Sequence, residues 1–396
     1  MCGSFYRVYQ FFMRLASYTI RWRPPILLKN LSDVISILNK RDNPRVFIIT
    51  GKKIFATGLH QNIERELIGA GITHFIYNNV TTDPTIEIIE DAVEQYKKHC
   101  CNCLIAFGGG SVIDCAKIIA AKIIRPNKSI RKMKGLLKIQ KPIPLLIAIP
   151  TTAGSGSEAT ITAVVMDEEK KEKFSINDPV LVPRYALLNP CFLKSMPKNI
   201  IASTGMDALV HAFEAYLGKS NTRQTKIYAM NAIKLIFDNL EKAYSLNDDM
   251  AFNQMQMASY NAGLAFTRAY VGYVHAISHA LGGLYGTNHG LSNAVILPHV
   301  LEIYDKKIYL KISRLHDFLY PQNSLRSRKE KFDLIVSNIK KLNNSLGIPS
   351  KLKEVSKDNI KILSQKAIKE ANPLYPVPKI LNRIDIEKII YKIAST

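Results

Sequence analysis

Through the first half of the chain, short uninterrupted apolar runs alternate with stretches whose apolar residues recur every three or four positions. RVFIIT (Arg45 to Thr50), ITHFIYNNV, NCLIAFGGG and PLLIAIP (Pro144 to Pro150) are of the first kind, each short enough to be a strand buried on both faces. The helical kind covers Leu31 to Asn39, a segment after the first strand, TIEIIEDAVEQYKKH and the stretch from Ser111 onward. Strands separated by helices predict a mostly parallel sheet with helices over both faces, an α/β architecture. From about Pro197 the pattern changes to long helical periods with few strand candidates. The expected division is therefore an α/β domain over residues 1–195 and an all-helical domain over 196–396. The lysine-rich run 323–370 keeps Leu, Ile and Val at helical intervals, so it reads as helical surface rather than linker. There is no internal repeat.

The stretch ahead of these elements, residues 1–24, carries Arg7, Arg14, Arg21 and Arg23, with no acid before Asp33. Phe5, Val8, Phe12 and Leu15 share one face if it is helical. A mitochondrial transit peptide has this composition, and so does an amphipathic helix docked by its apolar face on the domain or on a membrane surface. The retained helix is the preferred reading, because the stretch is rich in aromatics for a cleaved leader.

Composition narrows the classes. Of the 396 residues, 47% are hydrophobic and 22% charged, which excludes wholesale disorder. No apolar run approaches the ~18 residues of a spanning helix. Lys and Arg exceed Asp and Glu by 54 to 32, a net charge of +22. The basic residues are scattered through helical patterns without a nucleic-acid module, so the charge reads as a solvated exterior biased toward anionic ligands, and no nucleic acid is expected as partner. The six cysteines form neither a secreted framework nor a CxxC zinc site; reduced thiols and a cytoplasmic location are expected.

Three stretches carry chemistry. In FGGGSVIDCAK, Phe107 to Lys117, a strand ends and a helix begins across three glycines. Ser111 would cap that helix with Asp114 as its capping partner, and the helix start would take a phosphate or pyrophosphate. IPTTAGSGSEAT, Ile149 to Thr160, places the hydroxyls of Thr151, Thr152, Ser155 and Ser157 at a second strand end. Ligands of open parallel sheets sit beyond such ends. The strand Arg45 to Thr50 leads into Gly51, Lys52 and Lys53, where an NAD-selecting fold commonly places an acid for the ribose; basic residues instead suit a 2′-phosphate. In the helical half, Asp207 and His211 are four apart, as are His275 and His279, and His289 follows. Each pair projects from one helix face. A carboxylate and imidazoles together suit Fe(II) or Zn(II) better than Ca or Mg.

GGGSVIDCAK, PTTAGSGSEAT, GMDALVHAFEAY and HGLSNAVILPHV occur in the order and spacing of the iron-containing (group III) alcohol dehydrogenases of the dehydroquinate synthase-like superfamily, which the chain resembles from about Arg45 to His299. The resemblance implies a Rossmann-like parallel-sheet dinucleotide-binding domain followed by an all-α metal-binding domain. It assigns Asp207, His211, His275 and His289 as metal ligands, and His279 to the nicotinamide end of the site, outside the ligand set. It assigns Gly109, Gly110, Ser111 and Asp114 to the dinucleotide turn, and Thr151, Thr152, Ser155 and Lys173 to further cofactor contacts. Gly51 stands where NAD-preferring members carry Asp, which moves the expected cofactor toward NADP(H) over NAD(H). Asn189 replaces an Asp usual at its position. Homodimers or larger assemblies are common in the family.

The expected activity is interconversion of a small alcohol and its aldehyde, with hydride passing across the interdomain cleft and His279 relaying the alcohol proton. A dehydroquinate synthase-like or glycerol dehydrogenase-like activity is the rival within the superfamily. A cyclising lyase would want a sugar-phosphate pocket rich in Lys and Arg, yet Phe266, Tyr270, Tyr273 and Tyr285 are apolar or aromatic; Phe266, Tyr273 and Tyr285 predict an apolar or aromatic substrate wall. A non-catalytic anion- or membrane-binding module, the rival from another class, predicts missing ligands, and all four are present. Glu214, one turn beyond His211, reads as a supporting group, and His299 as structural.

Overall fold

The computed structural model describes residues 2–19, 23–323 and 325–395; Arg21 lies outside the described residues. Two compact units are present, one of Ile20–Met196 and the other of Met1–Thr19 with Pro197–Thr396.

Helix α1 (Cys2–Thr19) groups with the helical unit, not with the α/β unit to which residues 1–24 were expected to belong. The reason is specific bonding. Arg7 donates to the carbonyls of Val377 and Pro378 at 2.6 and 3.1 Å. Gln10 donates to Pro373 and Tyr375 at 3.2 and 2.7 Å. Four carbonyls of a turn that lacks regular structure are satisfied this way.

The α/β unit contains β1 (Ile26–Leu28), α2 (Leu31–Asn39), β2 (Arg45–Gly51), α3 (Lys52–Ala56), α4 (Gln61–Gly69), β3 (Thr73–Val80), α5 (Ile86–Lys98), β4 (Cys103–Gly108) and α6 (Gly110–Ile124). β5 (Gly135–Leu136), β6 (Leu145–Pro150), β7 (Thr162–Asp167), β8 (Glu172–Asn177) and β9 (Tyr185–Leu187) follow. The main sheet has the order β1-β9-β6-β4-β2-β3, and all its pairings are parallel. β2, β4 and β6 are buried almost throughout, as uninterrupted apolar runs require when both faces are covered. α2 begins as its sequence suggests: Asn30 accepts from Asp33 in a reciprocal capping box.

A β5-β8-β7 sheet, with β7 and β8 antiparallel, was not anticipated. Nor were the three-residue strands β1 and β9. Asn189, in place of the usual Asp, accepts from the Cys191 amide at 3.0 Å, so an amide oxygen serves the turn where a carboxylate is usual.

The helical unit contains α7 (Lys198–Leu217), α8 (Arg223–Leu246), α9 (Asp249–Ala269), α10 (Tyr273–Tyr285), α11 (His289–Tyr304), α12 (Tyr309–Leu319), α13 (Arg328–Ser345), α14 (Ile360–Ala371) and α15 (Arg383–Ile393). α13 and α14 account for most of the lysine-rich run. α7 is central: from Gly205 to Leu217 every residue is buried, and α8, α9 and α11 pack around it. A helix apolar on all sides belongs in a core, so polar side chains on α7 stand out at once.

Candidate active site

Those polar side chains are Asp207, His211 and Glu214, all buried. α10 adds His275 beside them. α11 adds His289 at its first turn, and Asn288 caps that turn by accepting from the Leu291 amide at 3.0 Å. α11 approaches α7 closely at Gly290, where a Cβ would run into the backbone carbonyl of Ser203. Only glycine permits that contact, and it brings His289 to Asp207.

The donor atoms converge. One ligand atom from each of Asp207, His275 and His289 lies within 4.8 Å of the others. Asp207 Oδ1 is 3.5 Å from His289 Nε2 and 3.8 Å from His275 Nε2. His211 Nε2 is 3.0 Å from His275 Nε2, and the His211 ring stacks on Phe266 with centroids 4.2 Å apart. Behind His275, Glu214 accepts from the ring Nδ1 at 2.6 Å and from the backbone amides of Gly272 and Val274 at 2.7 Å each. That anchorage fixes the tautomer, so Nε2 faces the other donors. Burial, and then repulsion from the imidazoles of His211, His289 and His279, pushes His275 well below the ordinary histidine range. It is therefore neutral, the form in which imidazole binds a metal. One carboxylate oxygen and up to three imidazoles in a tightly grouped set, buried except at His289, fit Fe(II) or Zn(II).

Asn293 was missed in the sequence. It lies one turn beyond His289, fully buried, with Nδ2 2.7 Å from Asp207 Oδ1 and 3.1 Å from His289 Nε2. The signal was available as i to i+4 spacing from a histidine already singled out.

His279 stands at the edge of the group, partly exposed. Its ring stacks on that of His289 with centroids 5.1 Å apart. Its Nδ1 is 2.6 Å from Glu370 Oε1, which also accepts from the Tyr375 hydroxyl at 2.8 Å. The expected aromatic wall is not assembled. Phe266 lies on His211, but Tyr273 is fully buried, its hydroxyl engaged by Asn372 and by Leu381. The Tyr285 hydroxyl accepts from the Ser356 amide and from Asn359. Hydroxyl groups need partners when buried, and these two found theirs away from the metal donors.

In the α/β unit, β4 and β6 are neighbours in register, Gly108 opposite Pro150, so the two glycine- and hydroxyl-rich loops leave the sheet side by side. A Cβ on Gly109 would sit 3.3 Å from Thr152, and one on Gly110 only 2.5 Å from the Ser155 hydroxyl. The Thr151 hydroxyl, buried between these loops, has no hydrogen-bond partner among the described residues. Helix α6 starts at Gly110, and its first amides have no carbonyls of their own helix to bond. Together these features suit the phosphates of a dinucleotide.

The expected Ser111–Asp114 capping pair does not form. The N-cap is Gly109 without a side-chain bond, and the Ser111 hydroxyl donates to the carbonyl of Thr82. Asp114 is half-buried and accepts from the Ser157 hydroxyl and from the Val164 amide, the latter at 3.0 Å. It thus ties the two loops together instead of closing a helix end. Lys117, also unremarked in the sequence, lies beside it fully buried. Its ammonium donates to Thr160 Oγ1 and the Thr160 carbonyl at 2.9 Å each, to the Thr162 carbonyl at 2.8 Å and to Ser157 at 3.2 Å. Lys173, half-exposed on β8, pairs with Asp83 at 2.7 Å, one residue from Thr82. Gly51 ends β2 opposite Val80 of β3; Lys52 and Lys53 follow it, exposed, at the start of α3.

Comparison with known proteins adds a separate line of observation. Residues 27–190 match the family model described as iron-containing alcohol dehydrogenase, and residues 201–394 match the C-terminal model of the same family. An NAD-dependent methanol dehydrogenase from Bacillus methanolicus is 32% identical over 349 residues, covering 87% of this chain and 91% of its own. Lactaldehyde reductase of Escherichia coli (strain K12) is also 32% identical, covering 84% and 87%. The crystal structure of a 1,3-propanediol oxidoreductase superposes with a TM-score of 0.88 at 29% identity, covering 94% of this chain and 98% of that one.

Proposed function

The chain belongs to the iron-containing alcohol dehydrogenases and is an oxidoreductase acting on CH–OH groups, and from that premise we propose that it interconverts a small primary or secondary alcohol and its carbonyl compound, with Fe(II) or Zn(II) at Asp207, His211, His275 and His289 and with NADP(H) as the hydride carrier. The observation that carries this reading is the convergence of Asp207, His275 and His289 within one unit, with His211 Nε2 3.0 Å from His275 Nε2 and Glu214 behind His275. An ion bound there supplies Lewis acidity toward a carbonyl or alcohol oxygen, and the nicotinamide supplies the hydride.

The chain's own residues do the rest. Asp207 contributes the one negative charge to the donor set. Phe266 lies against His211 and keeps water from that side. The β4–α6 turn and the loop after β6 would hold the pyrophosphate, with Gly109 and Gly110 allowing close backbone approach and Thr151, Thr152 and Ser155 offering hydroxyls. Asp114 and Lys117 hold the two loops in one arrangement, and Lys173 orders Asp83 beside them. Partners are small alcohols and aldehydes, and among the described residues no helix is long and apolar enough to cross a membrane.

His279 is proposed to take the alcohol proton and hand it on to solvent. Its support is the hydrogen bond to Glu370, partly exposed, which links the edge of the donor group to water through two adjacent side chains. The His279→Ala protein should retain its metal and lose about tenfold to a hundredfold in kcat, with small bases such as imidazole restoring part of the rate. Turnover equal to that of the parent would remove His279 from proton handling.

For the adenosine end, support for a 2′-phosphate comes from Gly51 at the end of β2, which carries no acid, and from the exposed ammonium groups of Lys52 and Lys53 just after it. The Bacillus methanolicus relative is described as NAD-dependent, so the two cofactors must be compared directly. We expect kcat/KM for NADPH to exceed that for NADH by about tenfold or more. A preference for NADH would overturn the assignment. A panel of short aldehydes, including those related to methanol, lactaldehyde and 1,3-propanediol, would then rank the substrates.

A further inference from the structure

Helix α1 is oriented the wrong way for an ordinary surface helix. Its polar side, Arg7 and Gln10, is the side docked on the protein. Its apolar side faces solvent: Phe5 is 63% exposed, Val8 54%, Phe11 56%, Phe12 62% and Leu15 48%. At 100° per residue these five fall within one third of the helix circumference. Of the two sites expected for the apolar face, the domain and a membrane surface, the domain is not the one it meets. Contiguous exposed apolar surface of this kind marks something it is meant to meet.

The surroundings say what. Around α1 the helical unit gathers cations. Lys311 is pushed down to about 8, first by burial and then by repulsion from Lys226, Lys219 and Arg14. Lys219 is lowered by burial and then by Arg7 and Lys307. The strongest electrostatic neighbours of both lysines are therefore other cations, in a chain that carries a net +22. A second copy of this chain laid against the helix would bring two such clusters together, and like charges repel. An anionic surface with an apolar interior relieves both the repulsion and the exposed aromatics.

We propose that α1 seats the enzyme on the surface of an anionic lipid bilayer, the helix lying in the interfacial plane with its Phe5–Leu15 face among the acyl chains and the surrounding cations on the headgroups. The association is peripheral and reversible, and it is independent of the catalytic reading, since no residue of the metal or cofactor groups takes part.

The test uses the full-length protein sedimented with vesicles of phosphatidylcholine alone, or with about one-third phosphatidylserine. Binding to the anionic vesicles is expected to exceed that to neutral ones by at least about tenfold, and to fall several-fold in about 0.5 M salt. Phe12→Ser combined with Leu15→Ser should lower vesicle binding at least about tenfold while leaving thermal midpoint and alcohol oxidation unchanged. Lys226→Gln and Lys307→Gln should each lower it about fivefold. Equal partition onto neutral and anionic vesicles would overturn the proposal, as would undiminished binding by the Phe12/Leu15 variant. Self-association without vesicles that the same variant abolishes would show the face to be a contact between copies, and would overturn it too.

Discussion

Replacing His275 by alanine should leave the protein unable to retain its metal, with stoichiometry after loading with Fe(II) or Zn(II) falling to near background and kcat/KM falling by about a thousandfold or more. Two losses add at that position. The imidazole nitrogen that faces Asp207, His211 and His289 disappears. Glu214, whose carboxyl burial already pushes up to about 8, loses the ring N–H it accepts from and keeps only backbone donors, Gly272 and Val274 among them. A buried carboxyl stripped of a partner is pushed still further toward its protonated form. Glu214→Gln separates the two effects. It keeps His275 and should weaken metal affinity by about tenfold to a hundredfold, the usual consequence of removing a group that orients a ligand. Elemental analysis and the rise in thermal midpoint on adding metal read the outcome without reference to turnover. Unchanged stoichiometry in the His275→Ala protein would take His275 out of the ligand set.

Lys117→Met should produce the largest loss of stability, about 3–5 kcal/mol, seen as a fall in thermal midpoint on the order of 10 °C. Methionine keeps an unbranched apolar stem of nearly the same volume and lacks the terminal ammonium. What remains are acceptors in a dry interior: the carbonyls of Thr160 and Thr162, and Asp114 and Glu158 close by. Burial already raises Asp114, and lifts Glu158 to about 7; without the ammonium both carboxyls are driven further toward the protonated form. Because Asp114 and Lys117 both hold Ser157, the loops after β4 and β6 should also loosen, and the KM for the nicotinamide cofactor should rise in whatever fraction stays folded. A midpoint within a degree or two of the parent would show that the ammonium is dispensable. The variant would then tell us that the loops are held by their glycine packing alone.

The elements that could be read from the sequence were those whose pattern is complete within a few residues. β2, β4 and β6 are buried on both faces, so their apolar runs are unbroken. α2 carries its capping box in four consecutive positions. β8 opens with exposed Glu172 and Lys173, β7 leaves Val164 on its exposed face, and β1 and β9 are three residues long, too short to leave a period. The Ser111–Asp114 pair obeyed a sound local rule and still failed, because partners some 50 residues away in the chain, Val164 among them, satisfy Asp114 better. Tyr273 and Tyr285 had the composition of a substrate wall. Their hydroxyls found partners elsewhere in the helical unit.

By itself, the sequence determined the class of the fold and, through its motifs, the family; helical spacing placed Asp207 with His211 and His275 with His279 whatever surrounds them, and so offered candidate metal donors. Packing decided which of these donors meet. It placed α7 at the centre of its unit, let α11 approach at Gly290, put Glu214 and Asn293 against the ligands, and turned the apolar face of α1 outward. Periodicity reports only what each residue does relative to its own helix or strand axis. Contacts between elements distant in sequence depend on shape, charge and hydrogen-bond satisfaction summed over both partners, and only the folded chain contains that sum.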